Sequence, residues 1–494
     1  MNMSGRTPRW ARGLCLAAAL AMPCTLPAQP TGLPSMGSAS SDDLSPPIER
    51  LLGDAIMEQG RHDPTYIADP DINQYLTALG RGLAAHAPQP LEQRITVFPV
   101  RDPQINAFAM PGGYIGVNSG LVVAAQSESE LAAVLAHEIG HVMQRHIARG
   151  ISQQSQSTGI LVASMVGALL AALAGQGDLA MGVATFGQAA ALDRQLGFSR
   201  SAEQEADRAG LQMMRQAGFD TRGMVEMFRR LMNASRLNEG QGGGYASTHP
   251  LSIQRMSDIE NRVRELAPKA HADSADFWFS RARLGLIQAQ SNADRQRMLL
   301  SMRTDAKEAR GARKAAALYA LAWLDWQAKD YTAAGQRLAE ARAAGPGAAL
   351  LDVLAVQLER AQGRDALETA AAAWRRWPRS QGVAIAYAQA LQAAGRDQEA
   401  VDFLQARARQ WPEAADFQKL LAGSLDRLGR EVEAREAMAR YYEETGALST
   451  AVELLQQARA MSGDFYEQSR LDTRIRTLRE DLETRRALLE RFKS

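Results

Sequence analysis

The fold and the function of this 494-residue chain are indicated first by residues 132–146, AAVLAHEIGHVMQRH. Its apolar residues recur at the spacing of one face of an α-helix. Ser127, followed three residues later by Glu130, forms a capping box, which is typical of the start of a helix. The pattern therefore predicts an amphipathic helix that runs from this capping box to Gly150.

The same stretch carries a motif typical of metal binding. His137 and His141 are four residues apart, so on a helix their side chains share one face and can bind the same metal ion. Glu138 follows the first histidine, where its carboxylate can act as a general base on a water molecule. Two surface histidines on a solvated helix are the alternative. A longer zinc motif would place a third histidine at position 147, where this chain has Ile147, so His146 is off register and we expect it at the surface.

A catalytic zinc site needs a third protein ligand besides the two histidines. A second helix is predicted over residues 201–217, and Gly218 is its expected end. Glu203 and Asp207 are four residues apart on one face of it, whereas Glu205 points elsewhere. We expect Glu203 to reach the metal and Asp207 to orient a ligand or to donate a proton. Without the histidine motif, this pair would indicate only a solvated charged face.

Short strands and turns precede the histidine helix. Residues 94–100, 105–110 and 114–118 have the apolar composition of strands, and Gly112 with Gly113 forms a turn. Because the remaining patterns are helical, we predict an α+β domain that is mostly helical and has a small sheet. An edge of that sheet can pair with an extended peptide.

Residues 159–175, GILVASMVGALLAALAG, contain no charge over 17 positions. The stretch is slightly short for a membrane-spanning helix and is rich in Gly and Ala. A buried helix of the domain is the favoured interpretation. Peripheral contact with a membrane or a lipid-exposed client is the second, and a transmembrane helix the third.

The last 220 or so residues repeat. Gly-Arg pairs begin at Gly363, Gly395 and Gly429, which are 32 and 34 residues apart, and Lys329 lies 34 residues before the first. A period near 34 in a helix–turn–helix pattern resembles the tetratricopeptide repeat. We therefore predict an all-α solenoid over residues 271–494 that binds peptides or proteins. A helical bundle without repeats is the alternative.

The N-terminus has the pattern of an exported protein. Three arginines, a short apolar run and a small residue before Gln29 predict a signal peptide over residues 1–28. A lipoprotein anchor at Cys24 is the weaker alternative, because Met22 and Pro23 precede that cysteine. Residues 29–47 are rich in Ser, Gly and Pro and are expected to be a flexible linker before a domain over residues 48–270. These features favour the bacterial periplasm.

The overall charge excludes one class of function. The formal net charge is +1, which provides no basic surface for nucleic acid. At 494 residues the chain is long enough for two or three domains.

Taken together, the motifs resemble those of the gluzincin metallopeptidases that include HtpX and the CAAX prenyl-protein endopeptidases. The resemblance rests on HEIGH, on EQEAD, on INAFAMPGGYIGVNSGL at residues 105–121, and on THP at residues 248–250 with a later arginine. It implies a gluzincin metalloprotease domain with one Zn²⁺ per chain. The roles that it implies are zinc ligation by His137, His141 and Glu203, general base catalysis by Glu138, and proton donation by Asp207.

The order of export signal, protease and repeats resembles periplasmic members of that family that serve β-barrel assembly. It implies unfolded or misassembled outer-membrane proteins as clients and a link to the barrel assembly machinery. Unlike HtpX, this chain has no convincing transmembrane span in its sequence. The resemblance therefore does not imply the membrane-embedded substrates of HtpX. The alternative function is a periplasmic chaperone or adaptor in which proteolysis is minor or suppressed.

His249 is the last candidate of the sequence, together with Arg255. It follows the glycine-rich residues 240–248 and precedes Pro250, which restricts its backbone. One interpretation is a donor to the oxyanion of peptide hydrolysis, with Arg255 nearby. The slightly favoured one is a latch that occupies the open position of the zinc and keeps the enzyme inactive. A solvated loop histidine is the third.

Overall fold

A computed structural model describes residues 45–153, 199–237, 249–250 and 252–491. The predicted signal peptide, most of the predicted linker, the apolar residues 159–175 and the glycine-rich residues 240–248 lie outside this range. Among the described residues, no helix combines the length and the apolarity that crossing a bilayer requires.

The N-terminal region combines helices with one small sheet. Its helices are α1 Pro46–Gly60, α2 Pro70–Ala84, α3 Ser119–Ala124, α4 Glu128–Met143, α5 His146–Gln153, α6 Arg200–Ala217, α7 Arg222–Leu237 and α8 Ile253–Glu265. Its strands are β1 Thr96–Val100, β2 Ala107–Met110 and β3 Tyr114–Asn118. The prediction of a mostly helical α+β fold is confirmed.

The sheet has the order β1-β3-β2. β3 lies in the middle, parallel to β1 and antiparallel to β2, with Tyr114 opposite Thr96 on one side and Met110 on the other. The turn between β2 and β3 needs positive φ at Gly112 and Gly113, at 79° and 80°. Because β2 stands at one end of this strand order, it is an edge strand of the sheet, and it lies against α4.

α4 begins as the capping box predicts, with the Glu130 amide donating to Ser127 Oγ at 3.2 Å. Its predicted continuation to Gly150 is wrong, because α4 ends at Met143 and α5 begins at His146. Arg145 between them has φ +52°, a left-handed conformation that interrupts the helix. Its side chain lies 3.5 Å from the buried carboxylate of Glu49 in α1.

The helices that carry the candidate ligands approach each other closely. α4 is buried along most of its length and packs on α6 and α7. A Cβ atom on Gly140 would lie 3.0 Å from Ala206 Cα, and one on Gly210 would lie 3.1 Å from the His137 amide nitrogen. Both contacts are tighter than ordinary van der Waals contact, so glycine at these two positions permits the helix spacing.

The C-terminal region is entirely helical within the described residues. Its helices are α9 Ala275–Gln288, α10 Asn292–Glu308, α11 Gly311–Gln327, α12 Tyr331–Ala344, α13 Ala349–Ala361, α14 Leu367–Arg376, α15 Gln381–Ala393, α16 Asp397–Gln410, α17 Asp416–Arg427, α18 Glu431–Thr445, α19 Leu448–Met461 and α20 Phe465–Arg491. Lys329, Gly363, Gly395 and Gly429 all have φ between 63° and 72° at turns between paired helices. The predicted helix–turn–helix repeat is confirmed.

The repeats pack against α1 and α2, the first two helices of the described residues. Asp71 Oδ1 in α2 accepts hydrogen bonds from Ser380 Oγ at 2.7 Å and from the Gly382 amide at 3.2 Å. Arg61, which follows α1, donates to the Glu444 carbonyl at 3.2 Å. These contacts join residues more than 300 positions apart, so the two regions form one continuous structure.

We predict that enlarging either interhelical glycine separates α4 from α6. Gly140→Ala and Gly210→Ala should each destabilise the protein by about 1–3 kcal/mol in urea unfolding, because the added methyl group overpacks the helix contact. Gly82→Ala is the matched control, since nothing lies within 4 Å of its Cβ position in α2. Equal stability of all three variants would contradict the close-packing account.

Candidate metal centre

α4 and α6 bring three candidate ligands together in the interior. The Nε2 atoms of His137 and His141 are 3.0 Å apart. Glu203 Oε2 lies 3.5 Å from His137 Nε2, and Glu203 Oε1 lies 3.4 Å from His141 Nε2. All three side chains are at most 1% exposed. The structure thus places the three predicted ligands in one buried cluster.

The geometry of this cluster fits a tetrahedral metal ion. Ligand bonds of about 2.0–2.2 Å in a tetrahedron place neighbouring ligand atoms about 3.3–3.6 Å apart. The observed separations of 3.0, 3.4 and 3.5 Å are close to that range. One atom from each of His137, His141, Glu203 and His249 lies within 4.8 Å of the others. Two or three imidazoles with one carboxylate are donors that zinc accepts.

The two glutamates of α6 occupy different environments. Glu203 is 1% exposed and faces the histidines, whereas the side chain of Glu205 is 50% exposed. This difference follows from their spacing, because residues two apart on a helix point to different faces. The placement of both agrees with the register predicted for α6.

Asp207 and Arg255 form the layer behind the ligands. Asp207 Oδ1 lies 2.9 Å from His137 Nδ1, the ring nitrogen opposite the metal side. Arg255 Nε and Nη2 each donate to a carboxylate oxygen of Asp207 at 2.8 Å, and Arg255 Nη1 lies 2.5 Å from Glu203 Oε2. Between the two predicted roles of Asp207, this geometry favours orienting a ligand. Arg255 is engaged with the two carboxylates, a position that sequence reasoning did not anticipate.

The local charges keep the carboxylates ionised. Burial raises the pKa of Asp207, but hydrogen bonds from Arg255 and His137 outweigh it and hold the pKa below its usual value. Burial likewise raises the pKa of Glu203, and the charges and hydrogen bonds of His249 and His137 bring the net pKa below its usual value.

The balance of buried charge favours a divalent cation. Glu138, Glu203 and Asp207 are all at most 3% exposed, and Arg255 is 2% exposed. When ionised, the three carboxylates carry three negative charges, of which Arg255 compensates one. In the metal-free cluster, protonated His137 and His249 can compensate the rest, but a histidine that binds a metal must be neutral. With the histidines neutral, two negative charges remain in the interior, where an uncompensated charge is costly. A divalent cation among the ligand atoms neutralises them.

His249 joins the cluster directly. It is fully buried, with Nδ1 3.0 Å from Glu203 Oε1 and 3.4 Å from His137 Nε2. Its Nε2 lies 3.5 Å from Glu138 Oε1. The alternative of a solvated loop histidine is therefore wrong. The ring stands where a fourth ligand would stand, which favours the latch over the oxyanion donor.

His146 is the residue that sequence reasoning misplaced. It is 5% exposed rather than on the surface, and its Nδ1 lies 2.8 Å from His141 Nδ1. The expectation assumed an unbroken helix, whereas the left-handed Arg145 turns the chain and brings His146 back beside His141. Burial, followed by the charge of Arg149, lowers the pKa of His146 to about 3, so its ring is neutral at neutral pH.

Comparisons with known proteins agree with the site. The profile described as Peptidase family M48 matches residues 70–263, which include every candidate site residue. The beta-barrel assembly-enhancing protease of Escherichia coli (strain K12) is 30% identical over 465 residues, covering 93% of this chain and 92% of that protein. A Vibrio cholerae protein provisionally given the same name is 38% identical over 292 residues, and the match spans 57% of this chain and 58% of that relative.

A more distant relative matches only part of this chain. The mitochondrial metalloendopeptidase OMA1 of Schizosaccharomyces pombe is 37% identical over 170 residues, or 34% of this chain and 47% of that protein.

The ligand assignment makes a prediction about metal content. His137→Ala and His141→Ala should lose metal and activity, because only two of the three ligands His137, His141 and Glu203 would remain. Glu203→Gln should also lose zinc, since a neutral amide replaces a charged ligand. Glu205→Gln should retain zinc because its side chain is half-exposed. Inductively coupled plasma mass spectrometry of the purified variants measures the content, and the opposite behaviour of Glu203→Gln and Glu205→Gln would refute the assignment.

The two roles left for His249 differ in the sign of one effect. If His249 is a latch, His249→Ala should raise proteolytic activity and promote self-cleavage, because the open metal position becomes accessible. If it donates to the oxyanion, the same change should lower activity by about 10²-fold. Initial rates on an unfolded protein substrate distinguish the roles. Unchanged activity would contradict both.

Proposed function

Because the chain belongs to peptidase family M48, we propose that it is an exported zinc metalloendopeptidase that degrades misassembled outer-membrane β-barrel proteins and assists their assembly. The observation that carries the proposal is the buried cluster of His137, His141 and Glu203 with Glu138 beside it. An adaptor protein does not need a buried carboxylate next to a metal ligand.

Each residue of the cluster has its own role in peptide hydrolysis. His137, His141 and Glu203 would hold the zinc ion. When bound, zinc supplies Lewis-acid chemistry, because it polarises the substrate carbonyl and makes the attacking water more acidic. Glu138 takes the proton of that water as general base and then passes it to the leaving amine. Asp207 holds the ring of His137 through Nδ1, and Arg255 holds Asp207.

Substrate binding is proposed at the edge strand β2. β2 lies against α4, the helix that carries His137 and His141, and among the described strands β3 is its one neighbour. An extended peptide that pairs with the other edge of β2 would therefore lie beside this helix. Every residue of β2 is buried, at 3% exposure or less. A substrate would therefore need a conformational change to reach this edge, which agrees with a latch at His249.

The relatives and the repeats support the proposed client class. The Escherichia coli relative is named for β-barrel assembly, and its similarity extends through the repeats as well as the metal centre. The C-terminal solenoid supplies a surface on which an unfolded client or the barrel assembly machinery can bind. The predicted signal peptide and these relatives favour the periplasm. Peripheral membrane contact through residues 159–175 would fit clients at a membrane.

A chaperone or adaptor that binds clients through its repeats is the second candidate function. The repeat solenoid alone would serve it, and the burial of β2 and of the metal centre fits an enzyme held inactive in the absence of a client. The two functions differ in whether Glu138 is needed.

We predict that Glu138→Gln retains metal and loses proteolysis by about 10²–10⁴-fold, because only proton transfer is removed. The assay follows cleavage of an unfolded outer-membrane barrel protein by gel electrophoresis. Glu226→Gln is the control, since this glutamate is 55% exposed on α7 and pairs with Arg229 at the surface. Wild-type cleavage by Glu138→Gln would contradict the mechanism, and suppressed aggregation without any cleavage by the wild type would support the chaperone.

A further inference from the structure

His146 is a buried side chain that the proposed chemistry does not use. It is the first residue of α5, immediately after the left-handed Arg145. Burying a polar ring costs free energy unless its nitrogens find partners. One partner of this ring, His141, is itself a candidate metal ligand, so His146 can influence the metal centre without touching the metal.

The contact is made on the side of His141 that faces away from the metal. His141 Nε2 points to the other ligands, 3.0 Å from His137 Nε2. His141 Nδ1 lies 2.8 Å from His146 Nδ1, and the two rings meet edge to face with an angle of 69° between their planes. A separation of 2.8 Å is a short hydrogen bond, which requires one nitrogen to carry a proton and the other to offer a lone pair.

Metal binding decides which nitrogen donates. A neutral imidazole has one N–H, so if His141 Nε2 gives its lone pair to the metal, its proton is on Nδ1. That N–H then donates to the lone pair of His146 Nδ1. His146 in turn carries its proton on Nε2. Glu205 Oε2 lies 3.7 Å from this Nε2, beyond the range of a direct hydrogen bond.

The other histidine ligand is held in the same way by a different group. His137 Nδ1 lies 2.9 Å from Asp207 Oδ1, an arrangement in which a carboxylate fixes the ring and its tautomer. Resting on the proposed zinc site, we propose that His146 is the positioning residue for His141: its Nδ1 accepts the Nδ1–H of His141 and keeps Nε2 free for the metal. The two ligands of HEIGH are thus oriented by unlike partners, one ionised carboxylate and one imidazole.

The backbone between the two histidines explains why this contact exists. An uninterrupted helix would carry residues 141 and 146 to different faces. The turn at Arg145 instead folds the chain back, with the Arg145 amide donating to the Val142 carbonyl at 3.0 Å. Arg145 itself lies 3.5 Å from Glu49 of α1. The position of His146 is therefore set by packing outside the metal cluster.

His146 is not a further ligand in this arrangement. Its Nδ1 faces Nδ1 of His141, on the side of that ring away from the other ligand atoms, and His146 is not among the four residues whose ligand atoms lie close together. If His146 is lost, we expect His141 to remain a metal ligand but to be less well oriented and to bind the metal more weakly. Removing such an outer partner lowers metal affinity by about 10–100-fold.

Two variants of similar size separate the hydrogen bond from packing. His146→Asn can place an amide oxygen close to the position of Nδ1 and can accept the same hydrogen bond. His146→Leu fills the space but accepts nothing. We expect His146→Leu to bind Zn²⁺ about 10–100-fold more weakly than wild type, and His146→Asn to bind nearly as tightly as wild type. Competition with a chromophoric chelator measures the affinity in the full-length protein.

A spectroscopic measurement reports on ligand geometry without activity. In the Co²⁺-substituted protein, the visible absorption bands should shift in His146→Leu and should match wild type in His146→Asn. Urea unfolding of the metal-free proteins checks that both variants fold. Equal affinity and spectra of wild type and His146→Leu would overturn the inference, as would equal impairment of both variants. If the wild type itself binds no zinc, the proposed function fails instead.

Discussion

The buried pairing of Arg255 with Asp207 and Glu203 is the interaction on which the rest of the metal centre depends. It joins α8 to α6 and, through Asp207 and His137, joins both helices to α4. Removing one partner of such a buried pair leaves an uncompensated charge, at a cost of about 3–5 kcal/mol. When the site histidines are neutral, two negative charges remain among these buried side chains, and a divalent cation would neutralise them.

Helical periodicity was sufficient to predict the centre of the site. The four-residue spacing of His137 and His141, and the two-residue offset between Glu203 and Glu205, required only regular helices. The structure places all four as that spacing predicts. The turns of the repeats were predictable for a similar reason, because glycine marks left-handed positions at a regular interval.

Features that depend on a single backbone angle or on distant contacts were not predictable. His146 was expected at the surface because nothing in the sequence marks Arg145 as left-handed, and arginine rarely adopts that conformation. The place of His249 at the metal centre was predicted through the family resemblance and not from its position in the sequence. The pairing of Arg255 with the two carboxylates, which joins parts of the chain far apart in sequence, was not predicted. α1 shows the same limit, since Glu49 contacts Arg145 near the metal centre and the adjoining Arg61 contacts Glu444 of the repeats. This helix connects the two regions physically.

We propose that one zinc ion is held in the buried charge cluster between α4 and α6. The most direct test is a zinc-edge anomalous difference map from crystals of the protein grown without added metal. The account predicts a single peak about 2.0–2.2 Å from Nε2 of His137, from Nε2 of His141 and from a carboxylate oxygen of Glu203. No peak at that position, or a zinc ion bound by a different set of residues, would contradict it.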